Sequence, residues 1–152
     1  MTLNHEYWMQ KALELAHQAE SIGEVPVGAI LVKDNKIIGQ GFNQSIVNSD
    51  PSAHAEIISL REAGQTISNY RLINTTMYVT LEPCAMCAMA MVHARVDTLV
   101  FATAEPRTGA GGSLYQLLDH PSHNHKVKII NGIFKDESAN LLKRFFRKRR
   151  NS

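Results

Sequence analysis

The sequence predicts an α/β protein, a three-layer α/β/α sandwich around a mixed five-stranded sheet. Three observations carry this. Apolar segments of helical and strand periodicity alternate along the chain in the order α-β-β-α-β-α-β-β-α. The first two strand segments are separated only by Asp34-Asn35, a hairpin turn signal, so the sheet holds an antiparallel pair beside its parallel ones. The chain has 152 residues and no linker, repeat or low-complexity tract, which makes residues 1–152 one domain.

The elements follow in order. Residues 4–22 read as a helix, with Trp8, Ala12, Leu15, Ala19 and Ile22 on one face, Gln10, Glu14 and His17 opposite, and Gly23 as the stop. Residues 27–32 and 36–40 are β-rich apolar runs. Helical spacing returns over 53–63, where Ile57, Ile58 and Leu60 are apolar and Gly64 is the expected terminator. Residues 76–80 alternate like a strand. Pro83 marks a first helical turn, and 84–95 is rich in the helix formers Ala and Met. Residues 98–102 read as a buried strand, 108–112 as a Gly-rich loop and 113–118 as a short extra helix. A last strand is expected over 127–130. A last helix is expected over 136–150, with Leu141, Leu142, Phe145 and Phe146 as its core face.

Composition narrows the class. Hydrophobic residues are 44% and charged residues 20%, ordinary for a folded soluble domain. No apolar run reaches the roughly 18 residues of a membrane span, and the first twenty residues lack a signal-peptide core, so the expected compartment is the cytoplasm. The net charge of +2 hides an asymmetry. Lys143, Arg144, Arg147, Lys148, Arg149 and Arg150 lie in the last ten positions, leaving ten basic against fourteen acidic residues before them. A weakly acidic body with a basic tail fits a polyanionic partner; it also fits a solubilising helix end.

The chemistry concentrates in two short motifs. His54-Ala55-Glu56 opens one helix and Pro83-Cys84-Ala85-Met86-Cys87 opens another. An H-x-E triplet alone is a weak signal. The second motif is strong, because it contains the only two cysteines of the chain. Cysteines at i and i+3 share a helix face, and a helix N-terminus favours thiolate over thiol. With His54 they make three soft protein ligands for zinc, with iron open on the same donors, and leave one position for water. Two thiolates and an imidazole neutralise the ion, so its water is acidified less than at a site of three neutral imidazoles. A nearby base is then needed, and Glu56 stands two residues from His54. A redox C-x-x-C pair and a structural zinc site are the alternatives. His93 reads as a packed or interface histidine. His120, His123 and His125 sit in a loop pattern with Pro121 and Asn124.

At these residues the chain resembles the zinc-dependent nucleobase deaminases, and among them the bacterial tRNA-specific adenosine deaminases. The resemblance covers nearly the whole chain. It runs through Glu24-Val25-Pro26-Val27-Gly28-Ala29, Asp50-Pro51 with Ala53-His54-Ala55-Glu56, and Asn69-Tyr70-Arg71-Leu72. It continues in Val79-Thr80-Leu81-Glu82-Pro83-Cys84, Thr108-Gly109-Ala110 and Phe145-Phe146-Arg147. It implies a cytidine-deaminase-like fold and hydrolysis of the wobble adenosine of a tRNA anticodon stem-loop to inosine. One zinc ion per subunit would be held by His54, Cys84 and Cys87. A zinc-activated water would attack C6, and Glu56 would shuttle the proton. Asn43, Ala55, Val27 and Glu105 would line the substrate site, with backbone groups near Ala55 and Cys84 orienting the base. Arg107, Arg147, Lys148, Arg149 and Arg150 would meet the RNA backbone, and two subunits would form the cleft.

Three positions depart from the family pattern. Glu105-Pro106 stands where Asp is usual, Arg107 where Lys is frequent, and Phe42 where Trp is common. A free nucleobase or nucleoside deaminase of guanine or cytosine type shares the zinc motifs and needs no basic tail. A catalytically dead RNA-binding module would need the zinc but not Glu56.

Overall fold

The computed structural model describes residues 4–151. Its elements come in the expected order. They are α1 His5–Ser21, β1 Gly28–Lys33, β2 Lys36–Phe42, α2 Ala55–Ile67, β3 Thr76–Leu81, α3 Ala85–Ala94, β4 Thr98–Thr103, β5 Lys128–Asn131 and α4 Lys135–Arg150. The five strands form one sheet in the order β2-β1-β3-β4-β5. β1 is antiparallel to both β2 and β3, while β3, β4 and β5 run parallel. The hairpin turn forms as the sequence requires: Asp34 and Asn35 take φ of 50° and 61°, the paired left-handed conformation of a type I′ turn.

Alternation along the strands splits the core in two. Ala29, Leu31, Met77, Val79, Leu99 and Phe101 face α2 and α3 and pack with Ala55, Cys87, Ala88 and Met91. Ile30, Val32, Tyr78, Val100 and Ala102 face α1 and pack with Trp8, Met9, Ala12 and Leu15. α4 packs on β3 and β4, where the Ser138 hydroxyl donates to the Thr80 carbonyl at 2.6 Å. Arg144 clamps α4 to Glu20 of α1 through guanidinium bonds at 3.0–3.3 Å. The result is the three-layer sandwich, with helix pairs on opposite faces.

α2 lies unusually close to β2. A Cβ on Gly41 would fall 2.8 Å from the Ala55 carbonyl and the Ile58 side chain, so only glycine there lets the first turn of α2 reach its place.

Several expectations need correction. No helix forms over 113–118. Gly111 bridges Gln116 instead, and the Leu117 and Leu118 N–H groups go to the Ala110 carbonyl and the Gln116 side chain rather than to a helical ladder. Gly64 does not end its helix: α2 continues to Ile67, and Ser68 supplies the left-handed cap at φ 54°. Ile22 is exposed because it is the C-cap of α1, beyond the last turn that faces the sheet. Pro83 precedes the N-cap Cys84 rather than occupying the first turn. Phe145 is buried, but its neighbour Phe146 is 43% exposed, since adjacent helical positions point about 100° apart.

Candidate active site

Two helix N-termini meet where the parallel strands β3 and β4 end. His54 is the N-cap residue of α2 and Cys84 the N-cap residue of α3; both have extended backbones, and neither makes a side-chain capping bond. Their side chains are therefore free to turn toward one another. Cys87, one turn into α3, completes the group. His54 Nδ1 lies 3.7 Å from Cys84 Sγ and 3.5 Å from Cys87 Sγ. Among the described residues these three form the one His, Cys, Asp or Glu cluster suited to a metal, with all ligand atoms within 4.8 Å of each other.

The donor set can be tested against zinc. Zn–N near 2.05 Å and Zn–S near 2.3 Å at tetrahedral angles place nitrogen and sulfur about 3.6 Å apart. Both observed N···S separations lie within a tenth or two of an ångström of that value. The cluster fits a tetrahedral ion with three protein ligands.

The protonation pattern of the same groups is uneven. Cys84 is lowered to about 4, first because the Cys87 side chain hydrogen-bonds to it and then through its contact with His54. Cys87 is pushed up, by giving that bond to Cys84 and by burial. His54 is raised, mainly by its bond to Cys84. Glu56 is buried in the first turn of α2, and burial lifts its carboxyl to about 7 against the opposing pull of its own backbone N–H and His54. A carboxyl poised near neutrality beside a metal-ligand cluster is matched to proton transfer.

Asn43 follows β2 and crosses to α2. Its Oδ1 accepts the Ala55 N–H at 2.8 Å and so supplies the cap that His54 does not. Its Nδ2 has no hydrogen-bond partner among the described residues. The Ala55 N–H is thus already engaged. Val27 is buried in the apolar cluster that includes Ala55 and Cys87, and its carbonyl accepts the Asn43 N–H at 3.2 Å.

The chain matches the family model of the MafB19-like deaminases over residues 3–150. It is 52% identical to the tRNA-specific adenosine deaminase of Haemophilus influenzae over 146 residues, spanning 95% of this chain and 84% of that one. It is 39% identical to the Bacillus subtilis protein of the same name, spanning 95% and 90%. The chain belongs to the tRNA-specific adenosine deaminases.

A structure solved in a study of A-to-I editing by tRNA:A34 deaminases at the wobble position of transfer RNA superposes on this member of the family with a TM-score of 0.86. The two share 37% identity, over 90% of this chain and 99% of that one. A guanine deaminase from Nitrosomonas europaea has a TM-score of 0.80 at 20% identity, which shows a shared fold.

In this deaminase Arg107, Lys143, Arg147, Arg149 and Arg150 line a cleft of about 1100 Å³ between α4, the ends of β3 and β4, and the loop after β4. Glu105 and Arg107 line it from the loop, and Lys143, Phe146, Arg147, Arg149 and Arg150 from α4. Lys148 is exposed but does not line it. Glu105 also turns its own loop, as its Oε1 accepts the Arg107 N–H at 2.9 Å.

His93 is exposed rather than packed. It borders an apolar hollow of about 760 Å³ between α2 and α3 with Ile57, Leu60, Tyr70 and Ala90. His123 and His125 hold backbone carbonyls of Leu117 and Val96 at 2.8 and 2.6 Å, which makes them loop fasteners.

Two buried carboxylates escaped the sequence reading. Glu24 accepts the N–H groups of Ile46 and Val47 at 3.2 and 2.7 Å, and Glu82 holds the loop after β4. Both lie in stretches that carry the family resemblance, but nothing in their local pattern shows what their carboxylates hold.

Proposed function

We propose that this deaminase converts the wobble adenosine of a tRNA anticodon to inosine, with His54, Cys84 and Cys87 holding one zinc ion and Glu56 moving the proton. The observation that carries the reading is the buried Glu56 carboxyl beside three soft ligands spaced for a tetrahedral ion. Zinc held by His54, Cys84 and Cys87 would supply the activated water that serves, with Glu56 as its base, as the nucleophile at C6 of adenine.

The chain's own residues do the rest. Glu56 accepts the proton released by the attacking water. It gives that proton to the ring nitrogen, then takes the second proton from the C6 hydroxyl and gives it to the exocyclic amine, which leaves as ammonia while C6 keeps the oxygen as a carbonyl. Burial suits Glu56 to both tasks, because a carboxyl near neutrality gives up a proton as readily as it takes one. Asn43 offers Nδ2 to the nucleotide while Oδ1 stays fixed on Ala55. Val27 and Ala55 close the apolar floor, which keeps water other than the reactant away.

The substrate base has to leave its stack to reach this depth, which a single-stranded anticodon loop permits at low cost. The cleft beside α4 seats the RNA backbone on Arg107, Arg147, Arg149 and Arg150, with Glu105 and Phe146 between them. Lys148 contributes to the surrounding field. The apolar hollow between α2 and α3 seats a second copy of the chain, so the enzyme acts as a homodimer with its His93 side chains at the interface. No helix among the described residues is long and apolar enough to cross a membrane, and a tRNA substrate places the enzyme in the cytoplasm.

A pair of anticodon stem-loops tests the substrate. One carries adenosine at the wobble position, and in the other the same adenosine is paired within the stem. Inosine in the first and none in the second is the expected result; equal turnover of both, or of neither, would refute the reading. Sedimentation of the purified chain tests the dimer, and a monomer at micromolar concentration would refute it.

A further inference from the structure

Between β3 and the metal-ligand helix the chain places a glutamate, Glu82, whose side chain is only 3% exposed. A buried carboxylate is costly unless its oxygens are fully engaged, and here they are. Oε1 accepts the Glu105 N–H at 3.0 Å together with the Ser113 hydroxyl. Oε2 accepts the Gly111 and Ser113 N–H groups at 2.9 and 3.1 Å. The next residue continues the fastening, since the Pro83 carbonyl accepts the Ala110 N–H at 2.8 Å. All five bonds hold one stretch of chain, residues 105–113.

That stretch belongs to no helix or strand, and its backbone donors close on Glu82 in place of a ladder. Gly109 shows how tightly the two are fitted. A Cβ there would fall 2.5 Å from Glu82 Oε1 and 2.5 Å from the Glu105 carbonyl. The loop carries Glu105 and Arg107 to the cleft that α4 lines with cations. The other end of the same short link is Cys84, the N-cap of α3 and a metal ligand in the reading above. One side chain therefore ties the wall of the cleft to the frame of the metal centre.

We propose that Glu82 is a positioning residue for deamination. Its carboxylate fixes loop 105–113 at the height where a strand held in the cleft delivers its base to the Glu56 side of the metal centre. This rests on the reading of the cleft as the RNA seat. A pure stability role would be served by backbone bonds alone. What the carboxylate adds is a fixed offset between two loops distant in sequence, and reaction rates are sensitive to such offsets. A displacement of about 1 Å costs about 100-fold in rate. An amide cannot substitute, because Glu82→Gln turns an NH₂ group toward at least one backbone N–H that needs an acceptor.

Three variants test this in the full-length zinc-loaded enzyme: Glu82→Gln, Gly109→Ala, which pushes on the carboxylate from the loop side, and Ser113→Ala, which removes one of its partners from an exposed position. The readouts are zinc per chain, the thermal midpoint, and kcat and KM on a wobble-adenosine stem-loop. The expected result is full zinc content in all three. Glu82→Gln and Gly109→Ala should lose about 10–100-fold in kcat, with KM changed less than about threefold, and Ser113→Ala should show a smaller loss in the same direction. If Glu82→Gln fails to fold, Gly109→Ala and Ser113→Ala carry the test. Loss confined to KM, loss that only follows zinc content or folded fraction, or wild-type kcat in the folded variants would each overturn the proposal. A wild-type chain silent on the stem-loop would instead overturn the RNA reading on which the proposal stands.

Discussion

Asn43 is asked to do two things at once, and its two ends can be separated. Oδ1 caps α2 by accepting the buried Ala55 N–H at 2.8 Å, and Nδ2, which has no partner among the described residues, is the group proposed to meet the nucleotide. Asn43→Ala removes both. It leaves a buried N–H unsatisfied at the first residue of α2, which costs about 2 kcal/mol. For a chain of this length that lowers the thermal midpoint by about 4–8 °C. Asn43→Asp keeps an acceptor for the Ala55 N–H, and a negative group is favoured at a helix N-terminus, so its midpoint should stay close to wild type. It loses the donor, however, and turns an acceptor toward an acceptor on the nucleotide. The lost bond and the unpaired group together cost about tenfold or more in kcat/KM. The assay is thermal unfolding and stem-loop deamination of the three proteins at equal zinc content. An Asn43→Asp enzyme with wild-type kcat/KM would refute the role of Nδ2, and an Asn43→Ala enzyme with an unchanged midpoint would refute the cap.

Other consequences are sharper in outcome than in magnitude. Glu56→Gln should keep zinc but lose about 100-fold or more in turnover, and near-normal rates in that variant would remove Glu56 from proton transfer. In metal-free protein Cys84, lowered to about 4, should stay thiolate well below neutrality. Iodoacetamide at pH 6 should therefore label Cys84 and spare the buried Cys87, with labelling falling only as the pH approaches 4; peptide mapping that finds Cys87 labelled first would contradict this. Arg107→Ala combined with Arg147→Ala should weaken stem-loop binding whatever its sequence and flatten the log–log salt dependence by about 1.5 in slope. An unchanged slope would take those side chains off the phosphates.

The sequence shows the metal centre more clearly than it shows the cleft, for a physical reason. The proposed ligands sit at helix starts, where Pro83-Cys84 and His54 leave local signals, and the two cysteines share a face through helical spacing alone. The sheet is legible because the apolar runs over 27–32 and 98–102 and the alternation over 76–80 mark its strands, but the faces those strands turn to each helix layer come from the structure. Glu24 and Glu82 are different. Their partners are backbone N–H groups 22 to 31 residues away, and no periodicity encodes such a bond. The short helix expected over 113–118 failed because the Leu117 and Leu118 N–H groups, which would have closed its ladder, bond to the Ala110 carbonyl and the Gln116 side chain instead. Gly64 misled because its place in α2 is open enough to need no turn: a Cβ there meets nothing nearer than 3.5 Å. Phe146 reads as core by helical spacing, yet its exposed ring is what the cleft adds to the row of cations.

The most direct test offers the purified zinc-loaded chain total tRNA, free adenosine, guanine and cytidine side by side, followed by nuclease digestion and mass spectrometry of the nucleosides. Inosine confined to the wobble position of tRNA, with the three small compounds untouched, is the result predicted here. Turnover of a free base or nucleoside with silent tRNA would contradict it, leaving the zinc and Glu56 chemistry in place but removing the RNA from the cleft.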